Sequence, residues 1–384
     1  MTDVLHDLGR GVPGAVVYEG ALARGSGRWA AAHRAARAMT LQAPTGHPES
    51  AGLFYGAPAV AFALHSAGHP AYQSALGLLD EALAEMVARK LSAAERRMDS
   101  GRPPRMSEYD LISGLTGLGA YFLTRNMEED RALHDVLGYL VRLLQEPVTA
   151  HGHEMPGWWT SDSPNSRPDE GWPAGHGNFG MAHGVAGPIA LLALAGREGH
   201  SVPGQTEALA ASCRLLERWA QPASGGGAAW PEAVSVEEWL AGPSPKYRAT
   251  RPSWCYGTPG VARAFQLAAL ACGRQDDRRR AEELLTVCLR DAVQVDRLTD
   301  PTVCHGWAGV CLAAQWAAAD TPADSLLRRT LPRLRAQFTS HLATNPLPEG
   351  AGLLTGANGV RLTIHTLSPS LPVASGWEAC LLLN

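Results

Sequence analysis

Apolar and small residues recur along this chain in one pattern: a turn around glycine, then a stretch apolar on nearly every face. Six copies are present: GLFYGAPAVAFAL (52–64), DLISGLTGLGAYFL (110–123), GMAHGVAGPIALLALA (180–195), SWCYGTPGVARAFQLAA (253–269), TVCHGWAGVCLAAQWAA (302–318) and GLLTGANGVRLTIHTL (352–367). Their first glycines are Gly56, Gly114, Gly184, Gly257, Gly306 and Gly356. Five copies carry a second glycine three positions on, where the first copy has Ala59. A helix apolar on all faces is a buried helix. Pro58, Pro188 and Pro259 fall where a first helical turn tolerates proline. Between the copies lie amphipathic stretches, at about 72–92, 131–145, 206–219, 276–294 and 325–343, and an Ala/Arg-rich helical segment at 20–38 precedes the first. No strand alternation of useful length interrupts them. The pattern predicts an all-α chain built as a double ring, six buried helices inside and six amphipathic ones outside. An open solenoid of helix pairs is the alternative, but a closed ring needs no polar end caps. The copies leave little room for an insertion, so a single domain over 1–384 is expected. Two long loops, 146–178 and 220–252, break the rhythm, and loops of such length are often functional.

Composition narrows the partners. Of 384 residues 45% are apolar and 18% charged, enough for a large core, and the net charge of −4 makes no case for nucleic acid or a membrane surface. No apolar run approaches the roughly 20 residues that span a bilayer. The first residues lack the basic and apolar parts of a signal peptide. A cytoplasmic protein is expected. Seven cysteines, an odd number in a long chain, fit free thiols and metal ligands better than a disulfide framework.

Aligning the copies on their first glycine points to chemistry. Two positions before it stand Phe54, Ile112, Ala182, Cys255, Cys304 and Leu354; one position before stand Tyr55, Ser113, His183, Tyr256, His305 and Thr355. Cys255 and Cys304 thus hold equivalent places in neighbouring repeats, and a closed ring would bring them to one mouth with His305 and His183. Two thiolates and an imidazole make a zinc site with three protein ligands, one short of the usual structural four, leaving a position for water or substrate. Cys213, Cys272, Cys288, Cys311 and Cys380 read instead as core residues. Taken singly, Asp110 reads as a helix cap, His183 as a helix-start residue and Arg251 as a surface charge; as a set at one mouth they read as functional.

The motifs SWCYG (253–257) and CHG (304–306), with AHG (182–184), YDLISG (109–114), the recurring glycine turns and the closing LLL (381–383), resemble the LanC-like family of lanthionine-forming cyclases over most of the chain. The resemblance implies an (α/α)6 toroid. It places zinc on Cys255, Cys304 and His305, and active-site roles on Asp110, His183, Arg251 and Tyr256. It implies addition of peptide cysteine thiols to dehydroalanine or dehydrobutyrine, forming thioether rings in a dehydrated precursor peptide of leader plus core. His183 is the candidate general acid; Asp110 takes the thiol proton or orients His183; Arg251 holds Asp110 or stabilises the enolate; Tyr256 shapes the pocket. The ring uses the whole length, so any dehydratase partner is expected to be a separate protein. Rival readings are glutathione addition to dehydrated residues of proteins, and a scaffold with structural zinc whose fourth ligand comes from His151, His153 or His176. A glycosidase, which needs two carboxylates across a cleft, ranks last.

Overall fold

The computed structural model describes residues 4–127, 130–166, 169–223, 227–244, 251–368 and 376–384. Thirteen long helices alternate between two layers. They are α1 (Val12–Ser26), α2 (Ala30–Met39), α3 (Ala57–Ala67), α4 (Gln73–Asp99), α5 (Leu115–Arg125), α6 (Arg131–Gln145), α7 (Ala186–Arg197), α8 (Gln205–Trp219), α9 (Thr258–Ala271), α10 (Gln275–Arg290), α11 (Trp307–Ala319), α12 (Leu326–Thr344) and α13 (Ala357–Leu367). Odd numbers form the inner ring and even numbers the outer one. In α7 every residue from Ala186 to Ala195 is buried, as its uniform apolarity requires. In α6 the buried side chains follow the expected stripe of Leu133, Val136, Leu137, Leu140 and Val141.

The toroid and the all-α class hold, with one difference in the count. Among the described residues the outer layer has the expected six helices but the inner layer has seven. The segment Asp7–Gly14 repeats the turn of Asp110–Gly117, with Gly11 and Gly14 in the two glycine positions, and launches α1. Arg10 in its turn and Tyr18, Glu19 and Arg24 on its helix hide the repeat behind polarity. The 20–38 helix is correspondingly two elements: Gly27 takes φ 71° and closes α1 on the Ala23 carbonyl. The 276–294 helix also ends early, because Asp291 turns out of α10 and caps a short helical turn through Val293 N–H at 2.9 Å.

The turns bind one another in a circle. Leu8 N–H donates to Phe54 C=O (3.0 Å), Phe54 to Ile112 (3.2 Å), Leu111 to Ala182 (3.1 Å), Ala182 to Cys255 (3.2 Å), Cys255 to Cys304 (3.2 Å), Cys304 to Leu354 (2.9 Å) and Leu354 to Gly9 (2.9 Å). The seventh segment is therefore the link that closes the ring. Close approach explains the second glycine: a Cβ on Gly260 would lie 2.0 Å from the Trp254 carbonyl, and one on Gly309 1.9 Å from that of Val303. The bore is filled by the final segment. Leu381, Leu382 and Leu383 are buried, the Trp254 indole donates to Leu381 C=O (2.9 Å), and Arg263 Nε donates to Leu383 C=O (2.9 Å).

The two long loops pack together over the mouth. Gly177–Asn178 pairs antiparallel with Ala233–Val234, and Trp158 and Trp159, both buried, stand edge-on to Trp239. Gly225 and Gly226 of the glycine run, and residues 245–250, lie outside the described residues.

Candidate metal centre and catalytic cavity

Where the turn circle faces the loops, it encloses a cavity of about 410 Å³. Both register positions point into it. Its walls include Phe54, Ile112, Ala182, Cys255, Cys304 and Leu354 from one position and Tyr55, His183, Tyr256, His305 and Thr355 from the other.

Cys255, Cys304 and His305 converge here, with one ligand atom of each within 4.8 Å of the others. The spacing follows from the Cys255 N–H to Cys304 C=O bond, which sets the two turns side by side. The donor set suits a thiophilic ion such as zinc. A hydrogen bond from the Cys304 thiol holds Cys255 below its ordinary value despite burial, while Cys304 is pushed up by that bond and by burial. The pair thus resists losing both protons unless a cation is close. Burial lowers His305, against the pull of Asp300, which keeps the imidazole neutral and able to ligate. Among the described residues no fourth His, Cys, Asp or Glu joins the group. His176 instead bonds the Asp162 carbonyl through Nδ1 at 2.8 Å.

Beside these donors His183 Nδ1 meets Asp110 Oδ2 at 2.5 Å. Asp110 is 2% exposed, and its other oxygen accepts from the N–H groups of Ser113 (2.7 Å) and Gly114 (2.8 Å). Cap and carboxylate partner are thus one residue. Burial opposes protonation of His183, but the charge and hydrogen bond of Asp110, with Cys255 beyond, raise its pKa above the ordinary value. The Tyr256 ring stacks on His183 at 6.2 Å and 29°, its hydroxyl meets the Asn178 side chain, and burial pushes its phenol up.

Arg251 lines the same cavity and pairs with Asp300, Nη1 to Oδ2 at 3.9 Å; among the described residues no ion pair joins it to Asp110. The cause is register: Arg251 and Asp300 each stand six residues before the first glycine of adjacent repeats, so the turns set them side by side. Asp300 also lies 3.6 Å from His305 Nε2. Sequence reasoning passed over Asp300, and likewise Asp7, Arg10 and Glu232, which all line or border the cavity. The offset of six before glycine would have found Asp300, and the DLGRG–DLISG likeness would have found Asp7 and Arg10. Glu232 carries no such signal, since a loop delivers it.

The fold and this rim define a class: a closed helical toroid with a Cys-Cys-His group that could hold a metal ion and a His–Asp pair at one mouth. Residues 4–382 match the model of the lanthionine synthetase C-like protein family, and the chain belongs to that family. It is 24% identical over 318 residues to the nisin biosynthesis protein NisC of Lactococcus lactis subsp. lactis, covering 81% of this chain and 72% of that protein. A solved nisin cyclase shares the fold with a TM-score of 0.78 at 20% identity, over 100% of this chain and 93% of that one. Among the described residues no helix is long and apolar enough to cross a membrane.

Proposed function

We propose that this protein is a zinc-dependent lanthionine synthetase that closes thioether rings in a dehydrated precursor peptide. The observation that carries the reading is the convergence of Cys255, Cys304 and His305 within 4.8 Å in the same cavity as His183. Names and family agree with it: relatives are a nisin biosynthesis protein and a nisin cyclase.

Cys255, Cys304 and His305 would hold the ion. Zinc would supply an open position at which a substrate thiol, ordinarily near 8.5, is deprotonated. The thiolate electron pair forms the C–S bond at the β-carbon of dehydroalanine or dehydrobutyrine, and the displaced π pair moves towards the adjacent carbonyl as an enolate. His183, protonated through Asp110, gives its proton to the α-carbon, and the proton released from the thiol passes to solvent, from which His183 is protonated again. Asp110 orients His183 rather than serving as the thiol's base, because both its oxygens are already engaged. Arg251 works on the metal side of the cavity and offers its charge to the thiolates and the enolate. Phe54, Ile112 and Leu354 keep the surroundings apolar, which strengthens each of these interactions.

A 410 Å³ cavity takes the two reacting residues and not a peptide, since such volumes match a drug-sized ligand. A second cleft of about 400 Å³, between the two long loops, shares Glu232 and Tyr256 with it and is bordered by Trp172. We assign it to the peptide flanking the reacting residues. The substrate then comes from a reaction that dehydrates serine and threonine. Free cysteines throughout suit a reducing cytoplasm.

The zinc-loaded protein should cyclise a dehydrated peptide bearing cysteine, followed by mass spectrometry with thiol alkylation. Cys304→Ala should lose both metal and activity. Acceleration by zinc-free protein would remove zinc from the reaction, and preference for glutathione over the peptide thiol would favour glutathione addition instead.

A further inference from the structure

We infer that Asp300 is the positioning residue of the metal centre: its Oδ2 holds His305 by Nε2–H, so that Nδ1 is the atom presented to the metal. The inference rests on the reading of Cys255, Cys304 and His305 as ligands.

Asp300 is fixed before it reaches His305. Its Oδ1 accepts from Thr302 N–H at 2.9 Å and from Thr302 Oγ1 at 2.5 Å. Its backbone carbonyl accepts from Trp307 N–H at 3.0 Å, which ties the residue to the first turn of α11. Gly306 makes room for this, since a Cβ there would lie 2.4 Å from Oδ1 and 2.3 Å from the Asp300 carbonyl. One carboxylate oxygen is therefore committed to the turn, and the other faces His305 and Arg251.

That second oxygen lies 3.6 Å from His305 Nε2 and 3.9 Å from Arg251 Nη1. The first distance is longer than a closed hydrogen bond. The terminal torsion of an imidazole is broad, which leaves the ring free to turn towards the carboxylate. Nε2 is the ring nitrogen that faces the carboxylate, so the pair favours the tautomer with a proton on Nε2 and a lone pair on Nδ1. Metal-binding histidines gain basicity and a fixed ring plane from such a carboxylate, and losing it lowers metal affinity about 10–100-fold. Arg251 anchors the far side of the same oxygen. The chain Arg251–Asp300–His305 thus joins two neighbouring repeats beside Cys255 and Cys304.

The test uses the full chain. Zinc affinity of wild type, Asp300→Ala and Asp300→Asn is measured by competition with a chromophoric chelator. Asp300→Ala should bind one zinc 10–100-fold more weakly, and Asp300→Asn, whose amide oxygen still accepts from Nε2–H, should fall between. Long-range ¹H–¹⁵N correlation on zinc-loaded wild type should show His305 metallated at Nδ1 and protonated at Nε2; this needs no variant to fold. The reverse tautomer, or equal affinity in all three proteins, overturns the role of Asp300 alone. Wild type that binds no zinc overturns the ligand assignment and this inference with it.

Discussion

Burial alone would leave His183 neutral, and Asp110 reverses that sign. The raised value means that the folded chain favours the protonated ring, so the stabilisation is complete below the unfolded value near 6.5 and fades as pH rises through the folded one. Asp110→Asn removes the charge but keeps the cap oxygen. We expect its His183 titration, followed by NMR, to move to lower pH, and the alkaline limb of the pH–rate profile to move with it. An unmoved midpoint would remove Asp110 as the cause. His183→Gln should lower kcat about 10²–10⁴-fold with zinc content unchanged, which separates proton donation from metal binding. Asp110 and His183 were legible in the sequence because each holds a fixed offset from a glycine. The partner of Arg251 went unread although Asp300 holds the same offset of six before its own glycine, because no motif marks that offset and only the packing of adjacent turns sets the two side by side.

The element that organises the site is the glycine turn with its inner helix. The second glycine lets the preceding carbonyl sit against the helix start, and in the fifth copy that carbonyl belongs to Val303, next to Cys304. Gly309→Ala drives a Cβ to 1.9 Å from it. The expected cost is at least about 1–3 kcal/mol, read by denaturant unfolding, together with reduced zinc occupancy. Gly77→Ala on exposed α4 meets nothing within 4 Å, and should stabilise by up to about 1 kcal/mol. Equal effects at the two sites would refute the role of close approach. The loop pair is a second kind of element. Trp172→Ala should raise KM for a long dehydrated peptide and leave the reaction of a short thiol with a dehydroalanine amide unchanged. The tryptophan-rich loops showed no periodicity, so their contact through Gly177–Asn178 and Ala233–Val234 was out of reach of pattern reading.

At the scale of the whole molecule, a circle of hydrogen bonds and a plugged bore make distant segments depend on one another. The N-terminal turn bonds both Phe54 and Leu354, and Leu381–Leu383 meet Trp254 and Arg263. We expect one cooperative transition, with far-ultraviolet dichroism and tryptophan fluorescence coincident. Two separated transitions would refute the single-domain expectation. Leu381→Ala should cost about 2–5 kcal/mol even though the residue lies outside every long helix. The sequence by itself determined the helical layers, the repeat, its register and the identity of the Cys-Cys-His group, because apolar periodicity and glycine spacing are local and recur. Tertiary structure alone decided the seventh inner helix, the Arg251–Asp300–His305 chain, the loop-borne Glu232 and the filling of the bore. Each of these depends on which segments meet when the ring closes, and even residues that share an offset from glycine, as Arg251 and Asp300 do, are brought into contact only by the packed turns.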